Sequence, residues 1–291
     1  MDVNTFSDIE KKAEVLVEAL PYIMQYRGKT IVVKYGGSAM INDDLKAAVI
    51  SDIVLLSLIG IKVVLVHGGG PEITEVLKKM GKESRFINGL RYTDAETAEV
   101  AQMVLAGKIN KDLVGGIVAA GGNAVGLSGF DGGLIKAKKK DDDGVDYGYV
   151  GTITDVNTKI IKDNLENGYI TVVSTVAAGD DGKVYNINAD TAALEIAIAL
   201  KADRVLVLTD VRGILRDASD DSSLVSDVRV DEIESLIKSG VITGGMIPKV
   251  KSIANAVSLD IKSASIIDGR VKHSIIVELF SDEGFGTIIR K

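Results

Sequence analysis

The chain has 291 residues, 46% hydrophobic and 26% charged, with a formal net charge of −7, which suits a globular protein with ample core and room for two domains. It contains no Cys and two His, excluding disulfides, thiolate nucleophiles, Cys-ligated zinc and any multi-histidine metal site. The negative balance argues against nucleic acid as a main partner, no apolar run approaches the roughly 20 residues of a membrane helix, and residues 1–12 are mixed and acidic rather than signal-like, so the cytoplasm is the expected location.

Ile9, Ala13, Leu16, Leu20 and Ile23 recur at steps of four and three, predicting an amphipathic helix over residues 8–24. Ile31–Lys34 and Val63–Val66 are β-branched runs expected as buried strands, separated by a helix over Asp43–Ile59. Pro71 suits the first turn of the next helix. Thr93-Asp94-Ala95-Glu96 reads as a capping box opening a helix that runs to about Ala106. Lys138 to Asp146 is polar and expected as an exposed hairpin tip. Buried-type strands follow at Ile170–Val173 and Val205–Leu208, and Gly179-Asp180-Asp181-Gly182 is the expected domain junction. Strands alternating with helices imply an α/β fold, a three-layer αβα sandwich with a mainly parallel central sheet.

Two lysines stand in glycine-rich surroundings. Lys34-Tyr35-Gly36-Gly37 follows the first strand, where ligands of open parallel sheets sit. Thr243-Gly244-Gly245-Met246-Ile247-Pro248-Lys249 opens a helix. Each sets exposed backbone N–H groups beside a fixed cation, a combination that holds phosphate. His67-Gly68-Gly69-Gly70-Pro71 has more glycines than a tight turn needs, and they admit close approach of a ligand to the backbone. The same pattern builds the oxyanion hole of some esterases, but the chain has no Gly-x-Ser-x-Gly nucleophile turn. Arg91 is suited to hold a carboxylate by its guanidinium fork, or else to make a surface ion pair. Asn186-Ile187-Asn188-Ala189-Asp190 precedes the apolar helix Ala192–Leu200 and holds more polar groups than an N-cap requires. Gly28-Lys29-Thr30 mimics the end of a P-loop, yet Ile23 occupies the place of its first Gly. No dinucleotide fingerprint is present.

Taken in order, these segments resemble the amino acid kinase family. The resemblance is carried by the Lys34, His67 and Asn88-Gly89-Leu90-Arg91 segments, Gly107-Lys108-Ile109-Asn110 and Tyr185 to Asp190. It continues through Leu208-Thr209-Asp210, Gly244 to Lys249 and Asp282-Glu283-Gly284-Phe285-Gly286-Thr287, and so covers almost the whole chain. It implies an ATP-dependent kinase acting on the side-chain carboxylate of N-acetyl-L-glutamate, on the route to arginine. Lys34, Lys249 and Asp190 would be catalytic, with Gly69, Gly70, Arg91, Asn186 and Asn188 on the substrate. Gly36, Gly37, Thr209, Asp210, Gly244 and Gly245 would contact phosphate and nucleotide. Mg²⁺ would accompany ATP, with no dedicated protein cage. The implied lobes are 27–178 for the acceptor and dimerisation and 179–291 for ATP. Residues 1–26 would be an oligomerisation helix. Members inhibited by arginine carry such a helix and form hexamers, so the resemblance implies a homo-oligomer with an arginine site at His273, Glu278, Glu283 and Gly286. Tyr92 departs from the small β-branched residue of many relatives. A carrier-linked acceptor, or a sensor without catalysis, is the alternative reading.

Overall fold

The computed structural model describes residues 10, 13–40, 42–141, 144–282 and 284–291. In chain order its strands are β1 (Thr30–Tyr35), β2 (Lys62–His67), β3 (Phe86–Ile87), β4 (Leu90–Arg91), β5 (Ala124–Leu127), β6 (Ile135–Lys139) and β7 (Gly151–Val156). Then come β8 (Ile170–Ser174), β9 (Val176–Gly179), β10 (Val184–Asn186), β11 (Arg204–Thr209), β12 (Asp227–Arg229), β13 (Ser263–Asp268) and β14 (Thr287–Arg290). Eight of them build one sheet in the order β12-β14-β13-β11-β1-β2-β8-β5. Only the β13–β14 pairing is antiparallel.

β1 reads Thr-Ile-Val-Val-Lys-Tyr, with five of its six residues buried. Such a strand has no solvent face, because helices cover both sides of a parallel sheet. Val32, Val64 and Val66 pack into one core with Ala192, Ile196, Val250 and Ile253 of the helices Ala189–Leu200 and Met246–Leu259. Ile31, Val33 and Tyr35 point the other way, into a second core with Ile53, Ile73 and Ile117. Helices Asp43–Leu58, Gly70–Lys79 and Asn110–Ala119 supply that layer. The three-layer sandwich expected from the alternation of strands and helices is present.

Local chemistry sets the helix starts. Asn42 Oδ1 accepts the Leu45 N–H at 3.0 Å, and Asp43 and Asp44 occupy the first turn of Asp43–Leu58, where carboxylates complement the helix dipole. Of the expected helix over 8–24, residues 8, 9, 11 and 12 lie outside the described residues; the rest is helical at 10 and 13–18 and again over Leu20–Tyr26, interrupted at Ala19. Pro21 lacks the N–H that would bond residue 17, so the chain restarts there. The Thr93 box is shifted by one. Asp94 is the cap, accepting Thr97 N–H at 2.9 Å, while the Thr93 hydroxyl donates to Arg91 O. The helix does not end near Ala106: Ala95–Gln102 passes into a π-helical segment, Met103–Ile109, and then into Asn110–Ala119.

A second sheet, ordered β10-β9-β6-β7, was not expected. The Gly179–Gly182 stretch is the turn between β9 and β10, with Gly179 N–H donating to Lys183 O at 2.9 Å. Strands from both expected lobes adjoin in the main sheet, where β1 pairs with β11. Among the described residues no helix is long and apolar enough to cross a membrane.

Candidate active site

The parallel strands finish together. Tyr35 is level with His67, His67 with Ser174, and Thr209 with Asp268. This edge is the place where open α/β sheets bind ligands. Lys34 lies one residue before the end of β1, and its side chain is 11% exposed. Its Nζ stands 3.0 Å from Asp190 Oδ1 and donates to Leu208 O at 3.4 Å. Lys249, in the first turn of Met246–Leu259, places its Nζ 2.5 Å from Asp190 Oδ2. Burial pushes the Asp190 carboxyl up, but the two ammonium groups outweigh it and hold the group below its usual range. One ionised carboxylate between two cations leaves a net positive charge.

At three of the glycines around this centre a side chain would meet a neighbour. A Cβ on Gly36 would sit 3.0 Å from Lys34 Nζ. Gly37 has φ +73°, and a Cβ there would lie 2.9 Å from Asp210 Oδ1, so only glycine fits without strain. A Cβ on Gly69 would collide with Ile109 and Leu105 of the π-helical segment. Gly244 (φ +53°) and Gly245 lead into the helix that carries Lys249. Thr209 and Asp210 follow at the end of β11.

Asn188 caps Ala189–Leu200, its Oδ1 accepting Thr191 N–H at 3.1 Å, and it also lines two adjoining cavities. The larger, about 510 Å³, is bounded by Asp190, Lys249, Gly245, Lys140 and Asn88. The smaller, about 180 Å³, is bounded by Gly69, Gly70, Arg91 and Asn186, and shares Gly89, Leu90, Val150 and Asn188 with its neighbour. Asn186 donates to Thr93 Oγ1 at 3.4 Å.

Arg91 is 7% exposed, which removes the surface ion pair. Its Nη1 donates to Ser84 Oγ at 2.5 Å and its Nη2 to Gly70 O at 2.7 Å and Thr74 Oγ1 at 2.8 Å. The Phe86 ring packs 4.8 Å from its Cζ. Among the described residues no carboxylate lies within ion-pair distance of it. Burial lowers its pKa, yet a guanidinium keeps its charge in proteins. A buried, uncompensated cation at a cavity wall is a receptor for an anion. Nothing in sequence marks Thr74 or Ser84, because each comes from a different segment. The esterase rival falls on His67, which is fully buried against Gly68 O and Asn110 rather than facing a serine nucleophile.

The profile of the Amino acid kinase family matches residues 29–268. The chain belongs to the amino acid kinase family. This amino acid kinase is 57% identical over 277 residues to the acetylglutamate kinase of Clostridium kluyveri, across 95% of this chain and 98% of that one. Its fold superposes with a TM-score of 0.84 and 28% identity on N-acetylglutamate synthase of Neisseria gonorrhoeae complexed with coenzyme A and N-acetyl-glutamate. That alignment takes in 96% of this chain and 63% of the synthase, so the kinase spans somewhat under two thirds of it. The same synthase complexed with coenzyme A and L-arginine gives 0.80 at 26% identity, over 96% of this chain and 65% of that one.

The residues expected to bind arginine divide. Glu278 and Gly286 line a cavity of about 720 Å³ with Tyr22, Tyr26, Arg204 and Asp282. Glu278 is already engaged there, paired with Arg204 Nη2 at 2.6 Å and accepting the Phe285 and Gly286 N–H groups at 2.8 and 3.0 Å. His273 does not line it and instead bonds Asp52 Oδ1 through Nδ1 at 2.6 Å. Glu283 lies outside the described residues.

Proposed function

We propose that this amino acid kinase transfers the terminal phosphoryl group of ATP to the side-chain carboxylate of N-acetyl-L-glutamate, giving an acyl phosphate on the route to arginine. The observation that carries the reading is Arg91: a buried guanidinium with no carboxylate beside it among the described residues, in a cavity adjoining the one that holds Asp190 and Lys249. A substrate α-carboxylate would supply the missing counter-charge. The curated relative named acetylglutamate kinase, matched over nearly its full length, supports the choice of acceptor.

The chemistry asks for alignment and charge. At pH 7 the acceptor carboxylate is already an anionic nucleophile, since such groups ionise near pH 4.3. No general base is needed. One of its oxygens forms a bond to the γ-phosphorus as the bond from that phosphorus to the ADP oxygen breaks. Acceptor and phosphate repel one another, and Lys34 and Lys249 flank the transferring group and offset that repulsion. Asp190 fixes the two ammonium groups. Backbone N–H groups of Gly37, Gly69 and Gly70 add donors, Asn186 and Asn188 orient the acceptor, and Thr209, Asp210, Gly244 and Gly245 serve the nucleotide on the 179–291 side. Among the described residues no three His, Asp or Glu side chains cluster as a cation cage. Mg²⁺ would enter with ATP, held by its phosphate oxygens and water.

Hydroxylamine trapping tests the acceptor. With free N-acetylglutamate the protein forms the hydroxamate in step with ADP. ADP release without hydroxamate, or none with the free acid, contradicts this reading and favours a carrier-linked acceptor or a sensor.

Regulation by arginine fits the cavity beside residues 20–26, because it joins acidic and aromatic side chains, Asp282, Tyr22 and Tyr26, at the join of the amino-terminal helix and the carboxyl-terminal segment. Val15, Leu16 and Val17 leave apolar surface exposed, Leu16 at 74%. A second copy would cover it, in keeping with a hexamer.

A further inference from the structure

The imidazole of His67 takes no part in the transfer described above, yet it adjoins the glycine turn that lines the smaller cavity. It has no solvent exposure, and burial pushes its pKa down from 6.5 to about 4. At neutral pH the ring is uncharged, with one N–H and one bare nitrogen.

Its neighbours decide which nitrogen carries the hydrogen. Asn110 Nδ2 lies 3.0 Å from Val172 O, 3.2 Å from Leu127 O and 3.3 Å from His67 Nε2. Two carbonyl oxygens only accept, so the side facing them is the NH₂, whose two hydrogens are shared among three acceptors. Its Oδ1 takes the Lys111 ammonium at 3.0 Å. His67 Nε2 thus faces a donor and accepts. The ring hydrogen is on Nδ1, which donates to Gly68 O at 2.9 Å.

A trans peptide points its C=O and its N–H in opposite directions. With the Gly68 carbonyl drawn onto the imidazole, the Gly69 N–H is turned away from it. The turn is clamped elsewhere too. Gly68 N–H donates to Tyr35 O at 3.0 Å, and Leu105 and Ile109 fill the space where a Gly69 Cβ would stand. We propose that His67 is a positioning residue, whose Nδ1–H holds the Gly68 carbonyl and so aims the Gly69 N–H at the oxygens between acceptor and phosphoryl group. This rests on the function proposed above.

Two measurements test it. The chain has only two imidazoles, so a long-range ¹H–¹⁵N spectrum separates them readily. The buried ring is expected with hydrogen on Nδ1, unchanged from pH 8 to about pH 5, one pH step above its pKa of about 4. Hydrogen on Nε2, or a cationic ring, overturns the proposal. The paired variants H67N and H67Q then divide its two hydrogen bonds. Asn can present an amide N–H where Nδ1 stands, whereas Gln reaches toward Asn110. H67Q is expected to lose roughly 10- to 100-fold in kcat, part of the 10²–10³ that deleting one oxyanion donor costs, while KM for ATP holds. H67N is expected to retain most of the wild-type kcat. Equal losses in both variants, tracking their Tm, overturn the proposal and leave His67 a packing residue. Should the wild type make no hydroxamate from N-acetylglutamate, the functional reading falls, and the tautomer alone decides whether His67 holds Gly68.

Discussion

Two residue types dominate the chemistry, lysine for charge and glycine for access, and one buried histidine supports them. His67 also gives the fold a signature in pH. Its unfolded imidazole binds a proton near pH 6.5 and its folded one only near pH 4. A depressed pKa means that the stability it contributes is whole above pH 6.5 and is lost as pH falls toward 4, by about 3 kcal/mol in proton linkage. The unfolding free energy of the wild type should therefore decline more steeply between pH 6.5 and 4.5 than that of H67N. Parallel declines would show that the ring is not held neutral. Arg91 makes the complementary point: its sequence neighbourhood left a carboxylate fork and a surface ion pair equally open, and only burial decides between them.

At the level of elements, the central strands were legible because both faces of each are buried, so Ile-Val-Val and Val-Val-Leu-Val stand out as runs. The structure extends them by a residue or so at each end. Lys34 and Lys249 were legible as strand-end and helix-start positions and the resemblance names Asp190 beside them, but the distances that set its carboxylate between the two ammonium groups are a tertiary fact. The second sheet escaped because its strands are short and break the alternation. β6 shifts register between Lys136 and Ala137 against β7, and β10 spans only three residues. The π-helical segment escaped for a different reason. A pattern search at 3.6 residues per turn has no template for the wider turn, and its use, packing Leu105 and Ile109 against Gly69, appears only in contact. Ser or Thr three residues before Glu is the usual cap signal, and it points to Thr93. Asp94 competes for the same role, and Glu96 pairs with Lys82 instead.

Across the whole molecule, β11 spans the distance between two cavities. Arg204 at its start bonds Tyr26 and Glu278, and Thr209 at its end reaches the active-site edge. The helix Leu20–Tyr26 rests on the carboxyl-terminal segment, with the Tyr22 and Tyr26 rings 6.2 and 6.5 Å from that of Phe280. If arginine inhibits through this junction and Leu16 is covered by a second copy, removing residues 1–26 should give a smaller assembly that stays active and no longer responds to arginine. Sedimentation and inhibition assays check it; unchanged size with unchanged inhibition contradicts it.

The central claim is that two lysines held by one carboxylate stabilise phosphoryl transfer to a carboxylate. The most direct measurement is single-turnover hydroxamate formation from ATP and N-acetylglutamate by the wild type and by Lys249→Ala, with ATP affinity measured alongside. The account predicts a rate loss of roughly 10²–10³-fold, about 3–4 kcal/mol of barrier, with much smaller change in ATP binding. A variant that transfers at the wild-type rate would contradict it.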